Sequence, residues 1–359
     1  MNIEEFKKQV AKQYGQDAIM EIGEARELDL QTLPTGIPSL DVVLGNRGLA
    51  RGRIVEIYGP ESAGKTALVS FIVAQAQHMA GQEPQIIGNP PDTKPKPVSG
   101  RIGFVDVEHT FSPDFAHQLG VNVGADSKFY ISQPSSGDQA LSEIQMMVES
   151  GLFDYVILDS VAGLLSEAEE QADYGNRQIA QIANMMSTAM RKLTAQIYKS
   201  RTIVIFINQI REKPAVQYGS PETTPGGRAL KFSASYRMRV ARAGQIKSGS
   251  RVVGHIMKIS VNKNKLSAPY KATEVKFYYE ALGEPGSKDY HPVGFDIWED
   301  TIVAAKALGV VTLRGSTYTY ADKETGEILA KGQGAVAFQS VLDSSPELKA
   351  KLIKDVQEA

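Results

Sequence analysis

Residues 53–66 read Arg53-Ile54-Val55-Glu56-Ile57-Tyr58-Gly59-Pro60-Glu61-Ser62-Ala63-Gly64-Lys65-Thr66. The first six have the apolar, β-branched character of a buried strand, and the stretch from Thr66 to about Met79 is suited to a helix. Between them Gly59 to Thr66 satisfies GxxxxGK[ST]. In that setting Gly59, Pro60, Glu61, Ser62, Ala63 and Gly64 form a loop whose backbone N–H groups can surround phosphate oxygens. Lys65 can offset the charge of the β- and γ-phosphates, and Thr66 can present its hydroxyl to Mg²⁺. This β-loop-α unit predicts a nucleoside-triphosphate site on an α/β sheet.

Outward from this unit, strands are expected at Ile102 to Val107, Phe129 to Ser132, Tyr155 to Asp159 and Thr202 to Asn208, separated by helices centred near Ala116, Ile144 and Met186. That alternation predicts a parallel sheet covered on both faces. Ile3 to Tyr14 has helical spacing but is too short to be stable unless it docks on something. Residues 81–100 contain five prolines and read as an exposed excursion. Beyond Phe232, SYRMRVARAG and GHIMKISVNKNK look like antiparallel additions to the sheet. A smaller module is expected from Phe295: a helix over Asp300 to Leu308, a hairpin over Val310 to Tyr320 turning at Gly315-Ser316, and helices over Ala335 to Val341 and Pro346 to Val356.

Three further strand ends carry polar groups suited to the same site. Tyr155-Val156-Ile157-Leu158-Asp159 ends in a carboxylate, the form of a Walker B element that supports Mg²⁺ through water. Phe104-Val105-Asp106-Val107-Glu108 offers two carboxylates, which alternation puts on one side of the strand. Glu108 is preferred as the base for an attacking water because it is nearer the strand's C-terminal end, where ligands bind in open α/β sheets. Ile205-Phe206-Ile207-Asn208-Gln209 ends in amides that can bond a γ-phosphate or complete backbone bonds.

The chain has 359 residues with 39 basic and 41 acidic side chains, a net charge of −2, and no cysteine. Thiol catalysis, disulfides and Cys-based metal sites are therefore excluded. The start, MNIEEFKKQVAKQYG, is too charged for the apolar part of a signal peptide, and no run approaches a membrane span, so a soluble cytoplasmic protein is expected. The near-neutral total hides an asymmetry: Gly226 to Lys265 holds ten basic residues and no Asp or Glu. Such density suits phosphates, with a solvated face as the alternative. Two irregular polar stretches, Ser166 to Arg177 and Ile210 to Gly227, follow strand ends that carry nucleotide-site candidates, so nucleotide state could order them.

Taken together, IVEIYGPESAGKT at 54–66, VDVEHTFSPDFAHQLGV at 105–121, VILDS at 156–160, IFINQIR at 205–211, GSPETTPGGRALKFSAS at 219–235 and GQGAVAFQSVLDSSPELKAKLIKDV at 332–356 resemble the bacterial RecA recombinase family, including its phage-encoded members. The resemblance implies an α/β fold with a P-loop NTPase core of the RecA-like type, an N-terminal helical docking arm over 1–32, an ATPase and DNA-binding core over 33–280, and a small α+β C-terminal domain over 281–359. It implies an ATP- and Mg²⁺-using, DNA-dependent ATPase that forms a helical filament on single-stranded DNA. That filament would pair the strand with homologous duplex DNA and exchange strands.

By the same resemblance, Lys65, Thr66, Glu108, Asp159 and Gln209 take the phosphate, Mg²⁺, water-orienting, Walker B and γ-phosphate-sensing roles. Phe115 stands where the family stacks a tyrosine on adenine. Lys263 and Lys265 match a pair reaching ATP on the adjacent protomer, and Phe232 matches an interface residue. Ser166, Arg177, Arg211, Gly226, Gly227 and Arg228 fall in or beside the two DNA-binding loops, and the first helix with an Ile19-Met20 strand matches the arm docking on a neighbour. Loader, single-strand-binding and repressor proteins are implied as partners, with the DNA-damage response as setting. Departures are the excursion at 81–100, the region 280–298, and Asn184 where the family pattern has an arginine. A hexameric ring ATPase and a nucleotide-gated DNA-binding scaffold are the competing readings.

Overall fold

The structure, a computed structural model, describes residues 1–15, 18–19, 30–45, 47–87, 95–165, 181–212, 222–284, 287 and 290–359. It opens with α1 (Ile3–Tyr14), started by a reciprocal capping box between Asn2 and Glu5 and burying none of its own residues. There follow β1 (Leu30–Leu33), α2 (Pro38–Leu44), β2 (Leu49–Ala50) and β3 (Ile54–Gly59), which enters α3 (Lys65–His78) through the phosphate-binding loop. After β4 (Gln85–Ile87), alternating β5 (Ile102–Asp106), α4 (Pro113–Gln118), β6 (Phe129–Ser132), α5 (Gly137–Ser150), β7 (Tyr155–Asp159), α6 (Gln181–Ser200) and β8 (Ile203–Gln209) build the expected α/β pattern.

Past β8 come the short pair β9 (Arg211–Glu212) and β10 (Glu222–Thr223), then α7 (Ala229–Ser233). The long strands β11 (Tyr236–Ser248), β12 (Arg251–Asn264) and β13 (Lys271–Tyr278) follow, with β14 (Gly294–Phe295). Nine of the described strands form one sheet in the order β14-β13-β12-β11-β3-β8-β7-β5-β6. Pairings from β11 to β6 are parallel and those from β11 to β14 antiparallel. Of the two segments expected as antiparallel additions, β12 is one, whereas β11 joins β3 in parallel; β13 and β14, which extend the antiparallel side, were not expected.

Alternation along the strands feeds two cores, one on each face. Ile57, Phe104, Tyr155, Ile157 and Ile205 pack with Leu68 and Ile72 of α3 on one side. Val105, Val156, Leu158 and Phe206 pack with Ile144 of α5 and Leu193 of α6 on the other. Strands buried on both faces lose the polar alternation that marks a half-exposed strand, which is why they read as continuous apolar runs.

A third core holds the C-terminal elements α8 (Ile297–Ala307), β15 (Val311–Arg314), β16 (Thr317–Ala321), β17 (Ile328–Gln333), α9 (Ala335–Asp343) and α10 (Pro346–Glu358) around Tyr320, Phe338 and Leu352. The strand β17 was not expected: its apolar stretch is only Ile328-Leu329-Ala330 before Lys331 and Gly332. Asp300 of α8 ties this module to the sheet domain. Its Oδ2 accepts the Ser39 backbone N–H at 2.8 Å, and the Ser39 hydroxyl donates to Oδ1.

The excursion at 81–100 is not simply exposed. Its strand β4 pairs with β1, and Val98 is buried. Asp154, fully buried, supplies the anchor: it accepts Arg51 Nη2 at 2.6 Å, the N–H groups of Ser99 and Gly100 at 2.8 and 2.7 Å, and the Ser99 hydroxyl at 2.7 Å. Lys96 Nζ donates to the Gly151 and Ser200 carbonyls. The prolines remove donors, and side chains elsewhere fasten the backbone instead. Residues 88–94 lie outside the described set.

Candidate functional site

The parallel register sets the ends of β3, β8, β7 and β5 side by side, pairing Gly59 with Gln209 and Asp106 with Asp159. Every polar group the site needs is thus carried to one edge of the sheet. Gly59 is required by packing, since a Cβ there would lie 2.1 Å from the Val240 carbonyl oxygen on β11. Gly64, at φ +90°, turns the loop into α3. Lys65 is buried and folds back so that Nζ donates to the Gly59 carbonyl at 3.0 Å and that of Pro60 at 2.8 Å. Burial holds its pKa below the ordinary lysine value, opposed by Asp159, Glu108 and Glu61.

The Thr66 hydroxyl donates to Asp159 Oδ2 at 2.8 Å. Burial pushes the Asp159 carboxyl up to about 6, against the Thr66 hydrogen bond that favours the charged form. A hydroxyl and a desolvated carboxylate short of positive charge are the hard oxygen donors that suit Mg²⁺.

Asp106 and Glu108 have different settings. The strand ends at Asp106, so the alternation expected to put both on one side does not extend to Glu108. Asp106 accepts the N–H groups of Thr110 and Phe111 and the Gln133 amide, which commits it to the following turn. The Val107 N–H, at 2.8 Å, and the Glu108 N–H, at 3.4 Å, donate to the Asp159 carbonyl, bringing Glu108 to β7. There Glu108 Oε1 accepts the Ser160 hydroxyl and Gln209 Nε2, the latter at 3.2 Å.

Beside the loop opens a groove of about 340 Å³ lined by Gly64 and Thr66 together with Phe115, Arg242, His255 and Tyr279. Phe115, half-exposed, is one of the groove's lining residues. Arg242 Nε donates to the Ser62 carbonyl at 2.9 Å. Arg242, His255 and Tyr279 were not anticipated as site residues; they reach the groove only because β11, β12 and β13 pair beside β3. Arg242 was visible as part of the basic run, but nothing local in the sequence marks His255 or Tyr279.

Lys263 and Lys265 lie toward the other end of the sheet. Lys263 pairs with Arg237, itself opposite Glu56, and the Lys265 N–H donates to Ser235, whose own N–H donates to Ile54. Two strands over and three residues short of Gly59, the Lys263 backbone is on the order of 14 Å from the loop. Lys263 Nζ donates to the Lys231 and Phe232 carbonyls at 2.6 and 2.9 Å, and Lys265 Nζ to that of Phe232 at 2.9 Å. Burial, with Lys265 and Arg237 nearby, pushes Lys263 down to about 8. These lysines are not brought to the phosphate loop of their own chain. Phe232, whose carbonyl both lysines bond, is 70% exposed.

Of the expected DNA-loop positions, Ser166 and Arg177 lie outside the described residues, as does Met20 of the arm strand. Arg211 is exposed on β9. Gly226 and Gly227, both at positive φ, press on Val161 and Ala183, the chain just after β7 and the start of α6; any Cβ would come within 3.0 Å. Arg228 follows as the residue before α7. The buried Glu56 gathers Arg237, Asn208 Nδ2 at 3.1 Å and the Thr224 hydroxyl at 3.0 Å, joining the strand of the phosphate loop to the returning stem of the second stretch. The basic run is partly neutralised in space: Arg237 pairs with Glu56, Arg239 with Glu222, Arg251 with Glu280 and Lys258 with Glu274. Its acid-free sequence therefore overstates the free positive surface.

Residues 1–88 and 93–283 match the model of the RecA N-terminal domain. The chain is 39% identical over 353 residues to Protein RecA of Thermus thermophilus, covering 98% of this chain and 93% of that one. The chain belongs to the RecA family. Protein RecA of Ruminococcus albus is 41% identical over 318 residues, 89% of this chain and 71% of that one. Protein RecA of Bacillus subtilis is 41% identical over 320 residues, 89% and 82%. Among solved structures, the RadB recombinase aligns with a TM-score of 0.48 at 21% identity, over 68% of this chain and 96% of that chain. As a RecA-family member, the chain is an ATP-using recombination protein of the strand-exchange type that binds DNA and self-assembles. Among the described residues no helix is long and apolar enough to cross a membrane.

Proposed function

We propose that this chain hydrolyses ATP, with Mg²⁺, at the junction between protomers of a filament on single-stranded DNA, and uses that filament to pair and exchange homologous strands. The single observation that carries the reading is the shared oxygen of Glu108, which holds Ser160 of one strand end and Gln209 of the next beside the phosphate loop. In this reading Glu108 orients and deprotonates the attacking water, and Gln209 registers the γ-phosphate. Lys65 releases the Gly59 and Pro60 carbonyls to meet phosphate oxygens. Thr66, and Asp159 through water, hold Mg²⁺, which when bound offsets phosphate charge. Gln209 and Asn208 then pass nucleotide state, through Glu56, Thr224 and Pro225, to the DNA loop between them.

Lys263 and Lys265 serve the nucleotide of the adjacent chain, a reading supported by their distance from their own loop. The arm docks on a neighbour as well: α1 buries nothing, while the edge strand β6 exposes Tyr130 and Ile131. The protein acts in the cytoplasm in DNA repair, alongside loader, single-strand-binding and repressor proteins.

The test is strand exchange between circular single-stranded DNA and linear duplex. ATP-dependent joint molecules with homologous duplex and none with heterologous duplex are expected. ATP hydrolysis without any pairing would sink the reading.

A further inference from the structure

At the end of β3 away from the phosphate loop, a pocket of about 200 Å³ is lined by Arg51, Arg53, Lys199 and Arg201 together with Gln31 and Tyr198. Four of its seven lining residues are cations and none is an acid. The length of β3 puts it about 20 Å from Gly59. Tyr198 lies about 22 Å along α6 from Ala183, the residue on which Gly227 presses. The pocket is therefore apart from both the nucleotide groove and the stem of the second polar stretch.

Its charge is only partly met within the chain. Asp154 pairs with Arg51 Nη2 at 2.6 Å and is otherwise committed to Ser99 and Gly100. The helix-end carbonyls are taken as well: Arg51 Nε uses that of Arg201, and Lys96 Nζ those of Gly151 and Ser200. Burial, then the Arg51 charge and that of Arg201, hold the Lys96 pKa below the ordinary lysine value despite Asp154. Cations therefore repel one another here.

Arg53 and Lys199 have no such outlet: among the described residues neither pairs with a carboxylate or donates a side-chain hydrogen bond. Lys199 is exposed, and a base in the last turn of α6 suits the helix dipole, which accounts for it but not for Arg53. Arg53 is half-buried against the Tyr198 ring, its Cζ 5.4 Å from the centroid. Its Nε is sealed from solvent, whereas the two terminal nitrogens are accessible. A half-buried guanidinium without a counterion carries a cost that a bound anion removes. One carboxylate would offset a single charge. A phosphate group carries up to two, and its oxygens accept from a forked guanidinium and an ammonium at once.

We propose that this pocket is a second phosphate site, in which the terminal nitrogens of Arg53 and the ammonium of Lys199 hold a phosphate group above the charge of Arg51. Its sources are a free phosphate compound or the backbone of a nucleic acid.

The test is equilibrium dialysis of labelled inorganic phosphate against the chain loaded with ADP and Mg²⁺, at a constant ionic strength of about 0.15 M. Saturable binding by the wild type is expected. R53Q should weaken it about ten- to a hundredfold, the range of hydrogen bonds to charged groups, and R53K, which keeps the charge but loses the fork, by less. K199Q, at an exposed position, should weaken it about three- to tenfold. K192Q, which removes an equal charge from α6 about 10 Å away, should change it by less than about twofold. Phosphate held in the nucleotide groove would not respond to Arg53, since about 20 Å is more than two Debye lengths. Unlabelled pyrophosphate and a single-stranded oligonucleotide serve as competitors: displacement by pyrophosphate alone marks a free phosphate compound as the ligand, and displacement by the oligonucleotide marks a nucleic-acid backbone. No saturable binding, or binding that R53Q and K199Q leave unchanged, would overturn the proposal. Should R53Q not fold, K199E decides by the same criterion.

Discussion

Glu108 accepts hydrogen bonds from two side chains delivered by different strands, so its orientation is fixed before any substrate arrives. Glu108→Gln keeps the size and leaves the phosphate loop untouched. ATP affinity is expected to stay within about threefold while turnover falls by roughly 10²–10⁴, the range a positioned general base supplies. Single-turnover hydrolysis beside nucleotide binding separates the two, and near-normal turnover would require another base. Legibility at this scale follows chain locality. Gly59 to Thr66 is readable because all its chemistry lies in eight consecutive residues after a strand. The ambiguity between Asp106 and Glu108 came from carrying strand alternation past Asp106, where the strand ends. His255 and Tyr279 were out of reach because their place in the groove depends on which strand lies beside which.

Among the elements, the seam between α8 and α2 is sensitive to pH. Asp300 is buried against Ser39, and that burial raises its carboxyl to about 6 from an ordinary 3.8. Between those values the folded chain holds a proton that the unfolded chain has lost. Stability from this group therefore falls as pH rises from about 4 to about 6, and the penalty stays in place above that, on the order of 2–3 kcal/mol. Asp300→Asn should flatten that dependence: thermal midpoints of variant and wild type should converge near pH 4.5 and separate in the variant's favour near pH 7.5. A constant offset between them at all pH values would assign Asp300 a purely geometric role. The three helices and the hairpin of this module were legible in the sequence, but neither β17 nor this seam was; a carboxylate that bonds a residue 261 positions away leaves no local pattern.

At the scale of the molecule, the parallel strands and their helices were readable from apolar runs and alternating elements, and β11 and β12 from their strand-rich segments, but not β13 or β14. The unreadable part is what long-range pairing decides: the parallel seat of β11, the fastening of residues 95–100 on Asp154, and the pairing of the basic run with acids outside it. The distance between Lys263 with Lys265 and their own phosphate loop has a consequence of another kind. On the role proposed above for the two lysines, a chain lacking Lys65 would have no working nucleotide pocket of its own but would still lend its two lysines, whereas a chain with both lysines replaced by alanine would bind nucleotide but lend nothing. Each alone should form inert polymers. Mixed in equal amounts and assembled head to tail at random, one junction in four joins an intact pocket to an intact lysine pair, so about a quarter of normal turnover should reappear from two dead proteins.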